Sequence, residues 1–393
     1  MEKIVLKKSL FCFLAIIFVS FFNGKIYSSV KKPSLIKKGI PTHYEKKHNL
    51  SFLKLVHTIP VEFSKKYFFA RPMELVVNKN GDIFIYDDLL NKIFKFKPDF
   101  TFDLAFGQVG QGPGDISPVR QFKSIGVYEN RIILSDDMQK KIIIFNKDGK
   151  FIKEVRFPSK AHYIFPIIIP ETNKIETPSN INPTKIGKLN YIVSATSKSG
   201  KSFLYKWNTN FNVIQRLLSE NDYCRFIDHI PDTSNITYYM IPDFFNTCVK
   251  IIPKTQTLIV YEYNSSTVHI FTPGSPDFSF TVVPEFRLKS FKKNNRNLRK
   301  KLKDDNFFVT IFDDKFFVDQ DRPKFIYFSQ NADFDNGKKR LLLLYKFNLK
   351  GKLVKIFRIN KEKDTYFMAK KNGYYFAIDH INNEINIFME DKK

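Results

Sequence analysis

Gly81-Asp82-Ile83-Phe84-Ile85-Tyr86-Asp87-Asp88-Leu89-Leu90-Asn91-Lys92-Ile93-Phe94-Lys95-Phe96 and Asn130-Arg131-Ile132-Ile133-Leu134-Ser135-Asp136-Asp137-Met138-Gln139-Lys140-Lys141-Ile142-Ile143-Ile144-Phe145 are one phrase written twice, 49 residues apart. Each copy is a short apolar run, an acidic turn and a second apolar run. An aliphatic residue, two spacers and a large aromatic close it. That ending recurs at Leu204–Trp207, Val268–Phe271, Leu344–Phe347 and Ile385–Phe388. A turn such as Asn146-Lys147-Asp148-Gly149 or Asn348-Leu349-Lys350-Gly351 often follows. Self-similarity of this length means one supersecondary unit set in an array.

Working outward, each unit resolves into four strands. In the first, Met73–Val77 leads through the tight turn Asn80-Gly81 to Asp82–Tyr86, then Lys92–Phe96 and Phe102–Phe106. Glycine accepts the positive φ that such hairpins need. The second runs Phe122–Val127, Arg131–Ser135, Lys141–Phe145 and Phe151–Phe157. Later units are looser. The third shows Lys188–Val193 and Ser202–Trp207 after an irregular insert at Pro166–Pro183. The fourth has Thr247–Ile252, Thr257–Tyr261, Thr267–Phe271 and Phe278–Val282. The fifth has Phe307–Phe312, Lys324–Phe328, Leu341–Phe347 and Leu353–Phe357. The sixth supplies only Tyr366–Ala369, Tyr374–Ile378 and Glu384–Phe388. The missing strand has a donor in Leu53-Lys54-Leu55-Val56-His57-Thr58-Ile59, which alternates as an outer strand should. Paired beside Glu384–Phe388, it would close the array into a ring and remove an exposed strand edge.

The expected fold is therefore all-β: a six-bladed β-propeller of four-stranded antiparallel sheets, closed by an N-terminal strand that completes the last blade. One short basic helix is expected between blades four and five. There Leu288, Phe291, Leu298 and Leu302 recur at helical spacing in 287–303, among Lys292, Arg296 and Arg299. The link Phe106-Gly107-Gln108-Val109-Gly110-Gln111-Gly112-Pro113-Gly114-Asp115, with Pro118 after it, resembles the inter-blade phrase of NHL-type propellers, and above all that of exported bacterial six-bladed members. Its glycines permit the reversals of a chain returning to the axis, and Pro113 stiffens the path. The resemblance is detailed over 71–157 and topological beyond.

Export is also read from the N-terminus. Lys3, Lys7 and Lys8 precede the apolar run Leu10–Phe22, the pattern of a signal peptide. Residues 1–28 are assigned to the signal, with an uncleaved anchor as the alternative, 29–50 to a flexible basic leader and 51–393 to the propeller. The expected location is the periplasm, the cell surface or the medium, with no membrane span after signal removal. Aromatics make up 16% and hydrophobic residues 43%, which excludes a disordered chain. The net charge of +25 reads as lysine-rich drift over a solvated surface, and export argues against a nucleic-acid partner. Cys12 leaves with the signal. Cys224 and Cys248 remain, and a disulfide between them and two buried thiols both stay open.

Acidic residues follow the second strand of four blades: Asp87, Asp136, Glu262 and Asp379. Loops at that position collect on one face of a propeller. These carboxylates are candidates for an axial cation such as calcium, or else each caps the backbone of its own turn. The resemblance extends to lyases with metal-bound histidines and to lactonases with a channel calcium. His229 and His380, in loops, are the histidines placed to act so, yet neither enzyme's ligand set is matched residue by residue. No catalytic constellation and no zinc-type cysteine spacing is present.

Two functions follow. One is a monomeric binding scaffold, holding a protein, peptide or carbohydrate on its loops and needing no cofactor. Tyr223, Tyr238, Tyr239 and Phe244 would help shape that face, and the basic segment 287–303 would meet an anionic surface. The other is a hydrolase or lyase with a metal ion in the axial channel.

Overall fold

The computed structural model describes residues 50–118, 123–128, 130–159, 161–170, 189–196, 202–207, 213–219, 247–252, 254–262, 267–275, 278–281, 315–334, 339–359 and 365–391. The sheets lie in one compact unit, 40–332 with 340–393, apart from the tip of one hairpin. Every regular element among the described residues is a β-strand.

The strands fall into groups of four, each antiparallel. The first blade is β2 (Pro72–Val77), β3 (Ile83–Asp87), β4 (Lys92–Phe96) and β5 (Phe102–Phe106). The second is β6 (Lys123–Tyr128), β7 (Arg131–Asp136), β8 (Lys141–Asn146) and β9 (Phe151–Arg156). The third is β10 (Ala161–Pro170), β11 (Leu189–Thr196), β12 (Ser202–Trp207) and β13 (Val213–Ser219). The fourth is β14 (Thr247–Ile252), β15 (Thr257–Glu262), β16 (Thr267–Phe271) and β17 (Phe278–Thr281). The fifth is β18 (Lys315–Val318), β19 (Phe325–Phe334), β20 (Lys339–Asn348) and β21 (Leu353–Ile359). The sixth joins β22 (Thr365–Lys371), β23 (Tyr374–Asp379) and β24 (Glu384–Glu390) to β1 (Leu50–Ile59). The first strands of successive blades touch in turn, from β2 through β6, β10, β14, β18 and β22 back to β2. Six blades thus surround one axis.

Closure runs through β1. Its antiparallel register with β24 pairs Leu53 with Glu390 and Ile59 with Ile385, and breaks at a bulge between Leu55 and His57. The bulge has a packing purpose. In a regular strand, Leu53 and Ile59 would share a face, because side chains alternate with a period of two. The extra residue moves them to opposite faces. Leu53 then packs with Phe357, Tyr375 and Phe388, and Ile59 packs with Phe69, Ile85 and Ile387. The start of β1 also pairs parallel to β21, with Leu50, Ser51 and Phe52 opposite Ile356, Phe357 and Arg358. Blades five and six thereby merge into one eight-stranded sheet.

The core lies between blades, which explains the repeated phrase. Residues i and i+3 of a strand point to opposite faces, so each phrase supplies one large side chain to each neighbouring core. In β4, Ile93 faces the second blade with Ile125 and Leu134, while Phe96 faces the sixth with Phe376 and Ile385. In β8, Ile142 and Ile144 pack toward Ala161 and Ile164, while Ile143 and Phe145 pack toward Phe84 and Phe106. In blades such as the first and second both faces are buried, so their middle strands read as nearly continuous apolar runs.

Two inner strands differ from expectation. The third blade begins with β10, which runs through Pro166 inside the stretch expected to be an irregular insert. Its register with β11 skips between Ile164 and Ile168. Proline is tolerated here because an innermost strand has one edge without a partner strand, and the bulge absorbs it. The fifth blade opens with β18 at Lys315–Val318, downstream of the expected Phe307–Phe312. That segment, the basic helix at 287–303, the signal and the leader up to residue 49 lie outside the described residues.

Candidate functional site

The six innermost strands leave a cavity of about 290 Å³ on the axis. Every blade contributes to its wall: Leu75–Val77 from β2, Ile125–Tyr128 from β6, Pro166 and Ile167 from β10, Val249–Ile252 from β14, Phe317 and Val318 from β18, and Met368, Ala369 and Lys371 from β22. The axial edge of these strands carries no neighbouring strand, so backbone polar groups face the opening beside the aliphatic side chains.

Close contacts hold the inner strands together. Gly126 of β6 faces the backbone of β10 so tightly that a Cβ there would lie 2.1 Å from the Pro166 carbonyl oxygen. Glu74 of β2 accepts hydrogen bonds from the Ile125 amide and the Ser124 hydroxyl of β6, both at 2.8 Å. The Gln320 amide donates to the Lys370 carbonyl at 3.2 Å, tying the chain after β18 to β22.

The charged residues of the wall are mostly cationic: Lys79, Lys250, Lys254 and Lys371, against Asp319. Asp319 is fully buried and committed. It accepts from the Lys370 ammonium at 3.2 Å, the Tyr327 hydroxyl at 3.1 Å and the amides of Asp321 and Arg322. Lys371 is paired with Asp321 at 3.4 Å. Lys250, on β14, is half-buried, and among the described residues its ammonium makes no hydrogen bond or close ion pair. Desolvation works to lower its pKa, the Cys248 sulfur and the Glu74 carboxylate raise it, and the net direction is upward.

The acidic residues singled out from the sequence sit elsewhere. Asp87, Asp136 and Asp379 end the second strands of their blades, as expected, and all three are fully buried. None of them lines the axial cavity. One oxygen of Asp87 accepts from the amides of Ala70 and Arg71 at 2.7 and 2.8 Å; the other accepts from Leu89 and Leu90. Asp136 takes the Ser117 amide at 2.7 Å and the Gln139 amide at 3.2 Å. Asp379 takes the amides of Ile381 and Asn382 and the Asn382 side chain. Asp87 and Asp136 therefore staple the chain entering a blade to that blade's second turn. Glu262 ends β15 in the equivalent place.

His380 is half-buried, with its ring 5.2 Å from that of Tyr366. The Cys248 thiol lies 4.0 Å from the Phe316 carbonyl. His229, Lys292, Arg296, Arg299 and Cys224 lie outside the described residues. Among the described residues, no three of His, Cys, Asp and Glu gather as a metal site would require.

Sequence reasoning missed the lysines of the cavity. Lys250 stands between Val249 and Ile251, which reads as the solvent-facing member of an alternating strand. Only the ring turns that position toward an axis.

Comparison with known proteins agrees with this architecture. No curated protein is a significant match to the sequence. Among solved structures, a Bacteroides fragilis protein classed as exported shares 13% identity at a TM-score of 0.52, covering 87% of this chain and 96% of its own. Virginiamycin B lyase from Staphylococcus aureus shares 11% identity at a TM-score of 0.42, over 86% of this chain and 99% of that one. A gluconolactonase from Xanthomonas campestris shares 10% at 0.45, over 86% and 90%. At such identities the likeness concerns the fold and carries no chemistry across. The model of one family matches residues 40–267, well over half of the chain, and the chain accordingly belongs to DUF5128, a family of 6-bladed beta-propellers.

Proposed function

We propose that this chain is an exported binding propeller whose axial cavity, rather than a metal centre, holds its ligand. The observation that carries this reading is the wall of the cavity, built from all six inner strands, largely apolar and with a few charged groups directed to it. Small-molecule sites have that composition, and the volume of about 290 Å³ lies just under the roughly 300–1,000 Å³ they occupy, which suits a compact ligand. Export is supported by the N-terminal pattern of Lys3, Lys7 and Lys8 before Leu10–Phe22.

An axial calcium does not fit the residues present. Calcium takes six to eight oxygen ligands, several of them carboxylates. Among the described residues the wall carries four lysines and one carboxylate, Asp319, which is held by Lys370. The hydrolase or lyase reading has no comparable observation behind it.

Screening small neutral and charged fragments against the full chain by saturation-transfer NMR tests the proposal. Hits are expected that disappear when Ile251→Trp, at a half-buried wall position outside the inter-blade cores, narrows the cavity, or when Gln320→Trp crowds its wall in case the first variant folds poorly. Hits that survive both substitutions would place binding elsewhere and overturn the reading.

A further inference from the structure

Among the described residues, the Lys250 ammonium lies in the wall of the axial cavity and makes no hydrogen bond and no close ion pair. Drawing a lysine into a protein wall costs hydration, and here the field of Cys248 and Glu74 offsets that cost and keeps the ammonium charged without a direct partner. Buried lysines elsewhere in the protein are matched: Lys141 with Glu154 at 3.3 Å, Lys95 with Asp103 at 2.6 Å and Lys370 with Asp319 at 3.2 Å. Among the described residues Lys250 has no partner at such distances. Glu74, the carboxylate whose charge it feels, is committed to the Ser124 hydroxyl and the Ile125 amide.

The surroundings add positive charge. Lys254 follows on the turn after β14 in the fourth blade, and Lys79 stands on the first turn of the first blade, across a six-membered ring from it. Both are exposed. Among the described residues the one acid in the wall is Asp319, which is paired with Lys370. The rest of the wall near them, including Leu75, Ile251 and Met368, is apolar.

We infer that the axial cavity is specific for a small organic anion, a carboxylate on a compact apolar body, with Lys250 as its counter-ion and Lys79 and Lys254 drawing it in. This rests on the cavity being a binding site at all, and adds the charge and size of what it takes. The carboxylate would face Lys250 while the body covers the aliphatic wall. Exposed lysines contribute mainly to the field that steers an anion to the mouth, and the half-buried one contributes to holding it.

The test uses two fluorine-labelled probes of one shape, 4-fluorobenzoate and 4-fluorobenzamide, titrated into the full chain and followed by ¹⁹F NMR. The benzoate is expected to bind at least about tenfold more tightly than the amide, and more weakly as salt is raised. Lys250→Met, of similar length and without charge, should abolish that preference, and Lys250→Arg should keep most of it. Equal binding of both probes, lost in the Ile251→Trp variant, would leave the cavity as a site and overturn its anion specificity. A preference that persists in Lys250→Met would also overturn the assignment. Binding of neither probe to the unsubstituted chain would count against both the specificity and the cavity.

Discussion

Asp136 and Asp137 are adjacent carboxylic acids with different partners. Asp136 is a local staple for two amides of its own blade. Asp137 reaches the next blade and accepts the Ile164 amide of β10 at 2.8 Å. Burial pushes the Asp137 carboxyl up to about 7, opposed by that amide and by Lys140, with the charge of Asp136 adding to the rise. Its ordinary value is 3.8. The folded protein thus holds this proton more firmly than the unfolded chain does. The stability so gained is fully present below about pH 4 and is lost as the pH rises through about 7. Asp137→Asn keeps an acceptor for Ile164 and removes the titration. Urea unfolding of both proteins across pH 4 to 8 should show the substituted chain becoming the more stable one toward pH 8, by an amount on the order of a few kcal/mol. Parallel profiles would contradict this account.

At the scale of elements, the inner strands are where packing is tightest. Gly126 sits on the backbone of β10, and any side chain there must push two strands apart, since a carbonyl oxygen cannot turn away as a flexible side chain would. Gly126→Ala should destabilise the protein by about 1–3 kcal/mol, the usual cost of overpacking, and lower Tm by several degrees. An unchanged Tm would mean that β6 and β10 do not touch in this way. The same strands were the least legible in the sequence. Middle strands announce themselves, because burial on both faces writes runs such as Ile142-Ile143-Ile144. Inner strands have a partner strand on one side only, and several are interrupted, β2 and β22 by a shift of register and β10 by Pro166. Hence β10 hid behind Pro166, and β18 lost to the more apolar Phe307–Phe312. Asp87 and Asp136 were legible as repeated acids in equivalent turns, and their chemistry was foreseen in the alternative that each caps backbone. The cavity lysines were not legible, because a strand's period of two gives a side chain a face without saying whether that face meets solvent, a neighbouring blade or an axis.

For the whole molecule, the wheel exists only if its two ends meet. A ring of blades has no single core, and each core is shared by two neighbours. Opening the sixth blade would expose the faces now covered by Leu53 and Ile59 together with the edge of β24. The sequence made this closure readable through a strand with no home at one end and a blade short of one at the other. The further pairing of Leu50–Phe52 with β21 was not readable, because three residues carry no pattern of their own. The axial cavity and its lysines depend on the same closure, since β22 and β2 form adjacent parts of the wall only when the last blade is complete. The most direct measurement is a cross-link between the two ends. Lys54 and Met389 are directly opposed in the β1–β24 register, and Lys54 is exposed. In Lys54→Cys/Met389→Cys, oxidation of the folded protein should yield a disulfide-linked 54–389 peptide pair by mass spectrometry, and a rise in Tm that reduction reverses. Absence of that linked pair from oxidised, folded protein would contradict the closed six-bladed ring.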